Sequence, residues 1–339
     1  MKKLSLVLIG MGRIGKIHLN NILRHFPQVQ IWGVADRDYN PEQFAREYGS
    51  IPFSRDANEL VAKPEVDAVL ICTPTSTHAD MIRLALEHGK HIFCEKPVDL
   101  SLETTKQLVD QVQGSGIKMM LGFNRRFDPD FLHAQRQIKE GRIGGVQIVK
   151  ITSRDPGLPP IEYIKHSGGL FMDMVIHDFD MARYIMQKEV KEVYARGRVL
   201  VDPKVGEAGD IDTALTTLIF EDDSYAVIDN SREAIYGYDQ RLEIFGNKGM
   251  LQVENNLHNR NIVYDKQGIH QSLPLDFFMD RYAASYLNEM KFFIEALQNN
   301  QPIPVSGQDG LEAVVIATAA KWSVEKKRPV SIAEVKAIL

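Results

Sequence analysis

Short apolar runs alternate with amphipathic stretches over roughly the first 120 residues. The runs read LSLVLI, VQIWGVA, VDAVLIC, HIFC and IKMMLG, and helical patterns such as 77–88 and 101–113 separate them. Continuous apolar strands between helices are typical of a parallel sheet that is covered on both faces. A sheet of this class binds its ligands beyond the carboxyl ends of the strands.

The pattern changes after residue 124. A polar helix predicted over 128–140 leads to GGVQIVKITSR, then to a loop rich in proline and glycine over 154–169 and to an apolar helix. Between 190 and 254, long β-type runs are joined by short turns, as in an antiparallel meander, and helical patterns follow over 280–298 and 308–324. Because 339 residues exceed the usual size of one core, we expect an α/β protein with two domains, 1–124 and 125–339.

The composition argues against several classes of protein. Lysine and arginine total 40 against 45 acidic residues, with no block of like charges, so we expect no nucleic-acid partner. The apolar run in MKKLSLVLIG is short and lacks a cleavage site, which favours a strand over a signal peptide. No stretch approaches the roughly 18 apolar residues of a membrane span, so we expect no membrane partner. Cys72 and Cys94 end apparent core strands, and we interpret them as buried thiols of a cytoplasmic protein.

A glycine pattern at the end of the first strand predicts a dinucleotide site. Gly10, Gly12 and Gly15 have G-x-G-x-x-G spacing, which allows a tight turn, approach of a pyrophosphate and close packing of helix on strand. Asp36 ends the second strand, where an acid binds the adenosine ribose hydroxyls. Asp36 favours NAD, while the adjacent Arg37 leaves NADP open. The candidate phosphate-binding residues are Gly10, Met11, Gly12, Arg13, Ile14 and Gly15.

Two further strand ends carry polar residues, in ICTPTSTH and FCEKPVDL. Both lie at the sheet edge where a nicotinamide ring would bind. Lys96 at a strand end that faces a ligand crevice favours a functional role over a solvated surface charge, and Pro97 restricts its backbone.

The segment GGLFMDMVIHDFDMARY places two ionisable residues in an apolar helical pattern. Asp173 and His177 are four residues apart and therefore share one helical face. The pair is compatible with a satisfied structural contact, with a metal site completed by His166 or His258, or with acid–base chemistry. Oxidation of an alcohol requires a base for the hydroxyl proton, and histidine suits that task near neutral pH.

Four motifs together resemble one enzyme family. GMGRIG, CEKP, GFNRRFDP and GGLFMDMVIHDFD, in this order and spacing, resemble the glucose-fructose oxidoreductase / inositol dehydrogenase / rhizopine-catabolism (Gfo/Idh/MocA) family over essentially the whole chain. SRDPGLPPIEYIKHSGG and YGYDQRLEIFG are most similar to its inositol 2-dehydrogenase branch. The resemblance implies an N-terminal Rossmann domain and a C-terminal α/β domain with a large open, mostly antiparallel sheet that builds dimers or tetramers. It implies no metal.

The resemblance also implies an activity and a set of site residues. The activity is NAD-dependent oxidation of a ring secondary alcohol of a cyclitol, myo- or scyllo-inositol, with a related sugar dehydrogenase or reductase, an NAD-assisted glycosidase or a non-catalytic dinucleotide sensor as alternatives. His177 would be the base, Asp173 would hydrogen-bond a hydroxyl, and Lys96 would stabilise charge on oxygen or relay the proton. Further cofactor-binding candidates are Thr73, Pro74, Thr75, His78, Glu95, Lys96 and Asn124, and substrate-binding candidates are Arg125, Arg154, Tyr236 and Tyr238.

Some of these assignments have simpler alternatives. Tyr236 and Tyr238, if they lie on a strand, point to the same side, and Tyr236 could instead pack in the core. Asp155 could serve as a cap or turn residue rather than bind a polyol. Alternation in DTALTTLIF and SYAVIDN leaves a semi-apolar second sheet face, which favours a homo-oligomer over exposure to solvent.

Overall fold

The computed structural model describes residues 3–339. The first six strands along the chain form a parallel sheet. Met1 and Lys2, which start the segment weighed above as a signal peptide, lie outside the described residues. The strand order is β3-β2-β1-β4-β5-β6. The strands are β1 Leu4–Ile9, β2 Val29–Ala35, β3 Phe53–Ser54, β4 Ala68–Ile71, β5 His91–Cys94 and β6 Met119–Leu121. The helices between them are α1 Arg13–His25, α2 Pro41–Tyr48, α3 Ala57–Val61, α4 His78–Glu87 and α5 Leu102–Ser115.

The central strands of this sheet are apolar on both faces because helices cover them. All four residues of β4 and all three of β6 are buried. The chain order reverses between β1 and β4, which pair with each other in parallel. A doubly wound sheet binds dinucleotides at this switch point, beside the carboxyl ends of the strands.

A second sheet has seven strands in the order β12-β11-β7-β10-β9-β8-β15. The β10–β7 pair is parallel and the other pairs are antiparallel, so the sheet is mixed and mostly antiparallel, as predicted. The strands are β7 Val146–Arg154, β8 Val190–Arg198, β9 Thr213–Phe220, β10 Tyr225–Ser231, β11 Asp239–Gly246, β12 Gly249–Val253 and β15 Val330–Ser331, with a separate hairpin of β13 Ile262–Asp265 and β14 Gly268–Gln271. The helices are α6 Pro129–Lys139, α7 Ile161–His166, α8 Ile176–Met186, α9 Pro203–Glu207, α10 Phe278–Arg281, α11 Ala283–Gln298, α12 Gly307–Lys326 and α13 Ile332–Lys336.

One face of this sheet is packed and the other is partly apolar and open. In β9, Ala214, Leu218 and Phe220 point to the core, whereas Leu215 on the opposite face is 59% exposed. Six further large apolar or aromatic side chains of the strands are exposed, namely Ile148, Tyr194, Tyr225, Val227, Phe245 and Met250. We call these seven residues the open-face cluster.

The chain divides into two compact units, but not at one point. The first unit comprises Met1–Asn124 and Ser285–Glu312, and the second comprises Arg125–Ala284 and Ala313–Leu339. The first break coincides with the predicted boundary, whereas the segment 285–312 groups with the N-terminal residues. Its contacts explain this: the Leu121 N–H donates to the Val305 carbonyl oxygen, and Met120 pairs with Ser306. The predicted division into 1–124 and 125–339 does not include this return of the chain.

Two local predictions differ from the structure. The 154–169 segment is not a continuous loop, because α7 occupies Ile161–His166 within it. The β-type run over 190–201 ends as a strand at Arg198. Among residues 3–339 no helix is long and apolar enough to cross a membrane.

Candidate functional site

The turn from β1 to α1 has the geometry that a dinucleotide fingerprint requires. Gly10 has φ of +103°, and a Cβ there would lie 2.6 Å from the Cys72 carbonyl oxygen. A Cβ on Gly15 would lie 1.9 Å from the Gly10 carbonyl oxygen. A Cβ on Gly12 would meet no atom within 4 Å, so this position is open on the side where a ligand can approach. The first and third glycines therefore serve packing, and the second leaves the backbone accessible.

Asp36, directly after β2, is held by backbone donors. The Met11 N–H donates to its Oδ2 at 2.6 Å, and the Asp38 and Tyr39 N–H groups donate to its Oδ1 at 2.9 and 2.7 Å. The Arg37 guanidinium instead pairs with Asp38, at 2.9 Å, and is largely exposed. The carboxylate is thus fixed beside the glycine turn, while the neighbouring cation already has an anionic partner.

These residues fit a dinucleotide. The α1 N-terminus has no side-chain cap, so its N–H groups and the helix dipole are available to a phosphate. Asn124 is buried, and its Nδ2 has no hydrogen-bond partner among residues 3–339. The glycine turn would hold the pyrophosphate and Asp36 the adenosine ribose.

The turns after β4 and β5 are joined by a buried histidine. His78 places Nδ1 2.7 Å from the Pro97 carbonyl oxygen and Nε2 2.9 Å from that of Thr73. Burial lowers the pKa of His78 below its usual value. The Thr77 hydroxyl donates to the Thr73 hydroxyl at 2.8 Å, within a 3₁₀ turn over Thr75–Thr77. His78, predicted to bind cofactor, thus contacts backbone groups of the two turns that carry the other candidates.

Glu95 and Lys96 follow β5 directly. The Glu95 N–H donates to the Ile71 carbonyl oxygen at 3.0 Å, which continues the sheet ladder for one residue. The Glu95 carboxylate lies 3.0 Å from His18 Nε2. Lys96 is half-buried and precedes Pro97 through a cis peptide bond.

In the second unit, Asp173 and His177 differ from all their neighbours in exposure. Every residue from Leu170 to Arg183 is buried except these two, which are partly exposed. A π-helical turn covers Phe171–Val175 and continues into α8, so Asp173 lies in the π turn and His177 in the first turn of the α-helix. Such π turns are frequent at functional sites. Both side chains reach the surface from an element that is otherwise fixed in the core.

Asp173 has two partners that the sequence did not indicate. The Tyr163 hydroxyl of α7 donates to its Oδ1 at 2.7 Å, and the Arg232 guanidinium donates to its Oδ2 at 3.1 Å. Arg232 is buried and also lies 3.5 Å from Asp210, which accepts from the Leu170 N–H. These contacts fix the carboxylate in one orientation. In the sequence Arg232 lies in DNSREA, among polar and charged residues, so no pattern distinguishes it from a solvated surface charge.

Asp155, immediately after β7, belongs to the same group of charges. Burial raises its pKa to about 7, with the Arg232 cation opposing that rise and the Asp173 carboxylate adding to it. Near neutral pH this carboxyl can both donate and accept hydrogen bonds. Its backbone also takes part in the turn after β10, where its N–H donates to the Ser231 carbonyl oxygen and its carbonyl oxygen accepts from the Ala234 N–H.

Other predicted substrate contacts are engaged elsewhere in the second unit. Arg125 donates to Asp178 at 2.5 Å and is buried, and Arg154 pairs with Asp229 at 2.8 Å. The Tyr236 hydroxyl donates to Asp239 at 2.6 Å and accepts from Arg154 at 3.0 Å, while Tyr238 is buried with its ring 6.0 Å from that of Tyr282. Residues 236–238 form a turn before β11, with Gly237 at a φ of +124°, so the expectation that both tyrosines point to one side of a strand is wrong.

The two histidines that the sequence predicts as possible further metal ligands each lie near a carboxylate other than Asp173. His166 is 77% exposed and lies 3.3 Å from Glu162, and His258 lies 3.5 Å from Asp276. Within residues 3–339, the group of three metal-type side chains with closely spaced ligand atoms is His18, Glu95 and Glu289. It includes neither Asp173 nor His177.

Two family models match the chain. Residues 4–123 match the model of an oxidoreductase family with an NAD-binding Rossmann fold, and residues 131–252 match the GFO/IDH/MocA C-terminal domain. The chain belongs to the GFO/IDH/MocA oxidoreductase family. Residues 4–123 are therefore the NAD-binding domain of a family member, as the glycine turn and Asp36 indicate.

Several inositol dehydrogenases are similar to nearly the whole chain. A myo-inositol 2-dehydrogenase of Thermotoga maritima is 44% identical, with 96% of this chain and 98% of that protein covered. An inositol 2-dehydrogenase of Rhizobium meliloti is 45% identical, with the same shares covered. The crystal structure of a scyllo-inositol dehydrogenase from Lactobacillus casei with NAD(H) and scyllo-inositol has a TM-score of 0.90 at 31% identity, covering 98% of this chain and 100% of that one.

Proposed function

We propose that this protein catalyses the NAD-dependent oxidation of a ring secondary alcohol of a cyclitol, converting myo- or scyllo-inositol to the inosose. The observation that carries the proposal is the partly exposed pair Asp173 and His177 in an otherwise buried helical segment. The inositol dehydrogenases among its relatives support the choice of substrate.

His177 is the proposed general base. A carbinol carbon cannot release hydride to give a neutral carbonyl unless the hydroxyl proton also leaves, and a neutral imidazole is a suitable acceptor for that proton. NAD, when bound, supplies the hydride acceptor. The Lys96 ammonium stabilises negative charge that develops on the reacting oxygen, or relays the proton.

Asp173 is the proposed orienting carboxylate. Tyr163 and Arg232 fix its two oxygens, so it presents acceptor lone pairs in one direction. Asp155 adds a carboxyl that donates or accepts near neutral pH. A ring that carries several hydroxyl groups needs several fixed polar partners of this kind. Apolar substrates would leave these groups unpaired, which favours a polyol.

The first test is a substrate panel. Purified protein is mixed with myo-inositol, scyllo-inositol, other cyclitols and pyranoses, with NAD or NADP, and formation of the reduced cofactor is followed by absorbance. Turnover with a cyclitol and NAD is the expected result. A preference for pyranoses would replace cyclitols by pyranose sugars as the substrate class. NAD binding with no turnover on the whole panel would favour the dinucleotide sensor.

Substitution tests the two proton-handling residues. Lys96→Ala and His177→Ala should each lower kcat by about 10² or more, because each removes acid–base or charge-stabilising chemistry. The matched control is His166→Ala, since His166 is an exposed histidine outside the proposed chemistry. The circular dichroism spectrum and the melting temperature of each variant serve as the check of folding. Turnover near the level of the unchanged protein in either variant would remove that residue's role.

We also propose that the protein is a homo-oligomer, a dimer or a tetramer, joined through the open-face cluster. Seven large apolar or aromatic side chains are exposed on one sheet face, and monomeric soluble proteins rarely leave a continuous patch of that kind uncovered.

We further propose a cytoplasmic location, because Cys72 and Cys94 are buried free thiols rather than a disulfide. Cell fractionation tests the location.

A further inference from the structure

Three titratable side chains converge in the first unit, two of them fully buried. They are His18 of α1, Glu95 at the end of β5 and Glu289 of α11. His18 Nε2 lies 3.0 Å from Glu95 Oε1 and 3.7 Å from Glu289 Oε1. One ligand-type atom of each residue lies within 4.8 Å of the other two. We call these three residues the His18 cluster.

The cluster is enclosed by aromatic rings. The His18 ring lies edge-on to Phe93 at 5.1 Å and to Tyr286 at 5.9 Å between centroids. The side chains of His18 and Glu289 are 0% exposed. Neither oxygen of Glu289 has a hydrogen-bond partner among residues 3–339. A buried ionised carboxylate without donors is very costly, so this group must be neutral or must bind a cation.

The charges around the cluster favour a neutral Glu289. Burial raises its pKa well above the usual value, and the negative charge of Glu95 raises it further. The other titratable groups that face the cluster are Cys72 and Cys94, whose thiol pKa values burial also raises, and the Tyr286 phenol. None of these three carries a positive charge that would hold two carboxylates ionised.

We propose that Glu289 is a neutral carboxylic acid in the His18 cluster and that His18 is a positioning residue for the turn that carries Lys96. In this arrangement His18 Nε2–H donates to the Glu95 carboxylate, and Glu289 keeps its own proton.

The place of Glu95 in the turn after β5 indicates what the His18 cluster would do. Glu95 adjoins Lys96 in sequence, and its carboxylate is packed so closely that a Cβ on Gly122 would lie 2.9 Å from Oε2. Glu95 is therefore held between His18 and the backbone at Gly122, which fixes the start of the turn. The functional part of this inference rests on the proposed role of Lys96, because a misplaced amine loses its effect on the reacting oxygen.

The first experiment measures the protonation state directly in the full chain. Protein labelled with ¹³C only at glutamate is compared with unlabelled protein by infrared difference spectroscopy at neutral pH. A protonated-carboxyl band that shifts with the label, disappears in Glu289→Gln and persists in Glu295→Gln is the expected result. Glu295 is the matched control because it lies on the same helix and faces Lys291 at 4.0 Å instead of the cluster.

The second experiment measures positioning. Glu289→Gln should keep kcat within about threefold, because a neutral amide replaces a neutral acid of the same shape. His18→Leu should lower kcat by about tenfold or more with less than about a threefold change in the KM for inositol, since the Glu95 carboxylate, which is 15% exposed, loses the His18 contact that holds it. Glu295→Gln should change neither constant.

Three results would overturn the proposal. One is the lack of a protonated glutamate band in the folded protein, and another is a stoichiometric divalent metal that copurifies and is lost in Glu289→Gln. The third is an unchanged kcat in His18→Leu, which would remove the positioning role. The infrared and metal measurements need no substrate, so they decide the protonation state even if no cyclitol is oxidised.

Discussion

Asp36 is the side chain that we expect to select between NAD and NADP. Three backbone N–H groups fix its carboxylate beside the glycine turn. A 2′-phosphate at this position would meet a negative charge, and the adjacent Arg37 is paired with Asp38. The local charges therefore favour the free ribose hydroxyls of NAD.

Asp36→Ser should raise the KM for NAD by about tenfold or more, because it removes the acceptor for the ribose hydroxyls. It should also reduce the preference for NAD over NADP, because it removes the negative charge that repels a 2′-phosphate. Steady-state kinetics with each cofactor measures this. Asp80→Ser, an exposed acid on α4, is the control. An unchanged ratio of kcat/KM for the two cofactors would show that Asp36 does not select between them.

Asp155 predicts a pH-dependent contribution to stability. Its folded-state pKa of about 7 lies above the ordinary value of 3.8. The stability that Asp155 contributes is therefore fully present below pH 3.8 and is lost as the pH rises through about 7. Asp155→Asn should therefore flatten the fall in melting temperature between about pH 4 and 7. Melting curves at several pH values test this, with Asp276→Asn as an exposed control. A constant difference between variant and unchanged protein across this range would contradict the assignment.

At the scale of elements, α6 begins on a residue with two roles. Asp128 Oδ1 accepts from the Asp130 and Phe131 N–H groups at 3.0 and 3.3 Å, which caps the helix. Its Oδ2 accepts from Arg281 at 2.6 Å, and both side chains are buried. The start of α6 is thereby joined to α10, far along the chain.

Asp128→Ala should destabilise the protein by about 3–5 kcal/mol, because it leaves the Arg281 charge buried without its partner and removes the cap. Asp130→Ala, at an exposed position of the same helix, should change the free energy of unfolding by less than about 0.5 kcal/mol. Urea denaturation of both variants measures the difference. Equal midpoints would show that the pair contributes little.

The elements that the sequence predicted well are those with a long buried face. The five apolar runs of the first domain correspond to β1, β2, β4, β5 and β6, and the patterns over 101–113 and 128–140 correspond to α5 and α6. Elements without such a face gave no signal. All residues of β13 and β14 are exposed, and α7 has six residues, too few for a helical period to be recognised.

The site shows the same limit. The glycine turn, Asp36 and the pair of Asp173 and His177 could be predicted because each depends on spacing within one or two neighbouring elements. The partners of Asp173 could not, because Tyr163 and Arg232 are 10 and 59 positions away in the chain. Tertiary contacts of that range leave no periodic pattern.

At the scale of the whole molecule, the open-face cluster predicts how the protein associates. Leu215→Lys combined with Phe245→Lys should convert the oligomer to a smaller species, because burying two added charges opposes the association. Light scattering after gel filtration measures the mass, with Leu200→Lys as a control outside the strands. A monomeric unchanged protein at micromolar concentration would contradict the proposed interface.

The return of residues 285–312 to the first unit limits how the gene can be divided. Leu121 packs so closely against this segment that a Cβ on Gly310 would lie 2.1 Å from its Cδ1, and Phe93 contacts the Phe293 ring at 5.7 Å. A fragment cut after residue 124 would expose these apolar surfaces to water and would lose Glu289. An N-terminal segment that is swapped between such enzymes to exchange cofactor specificity would therefore also have to include residues 285–312.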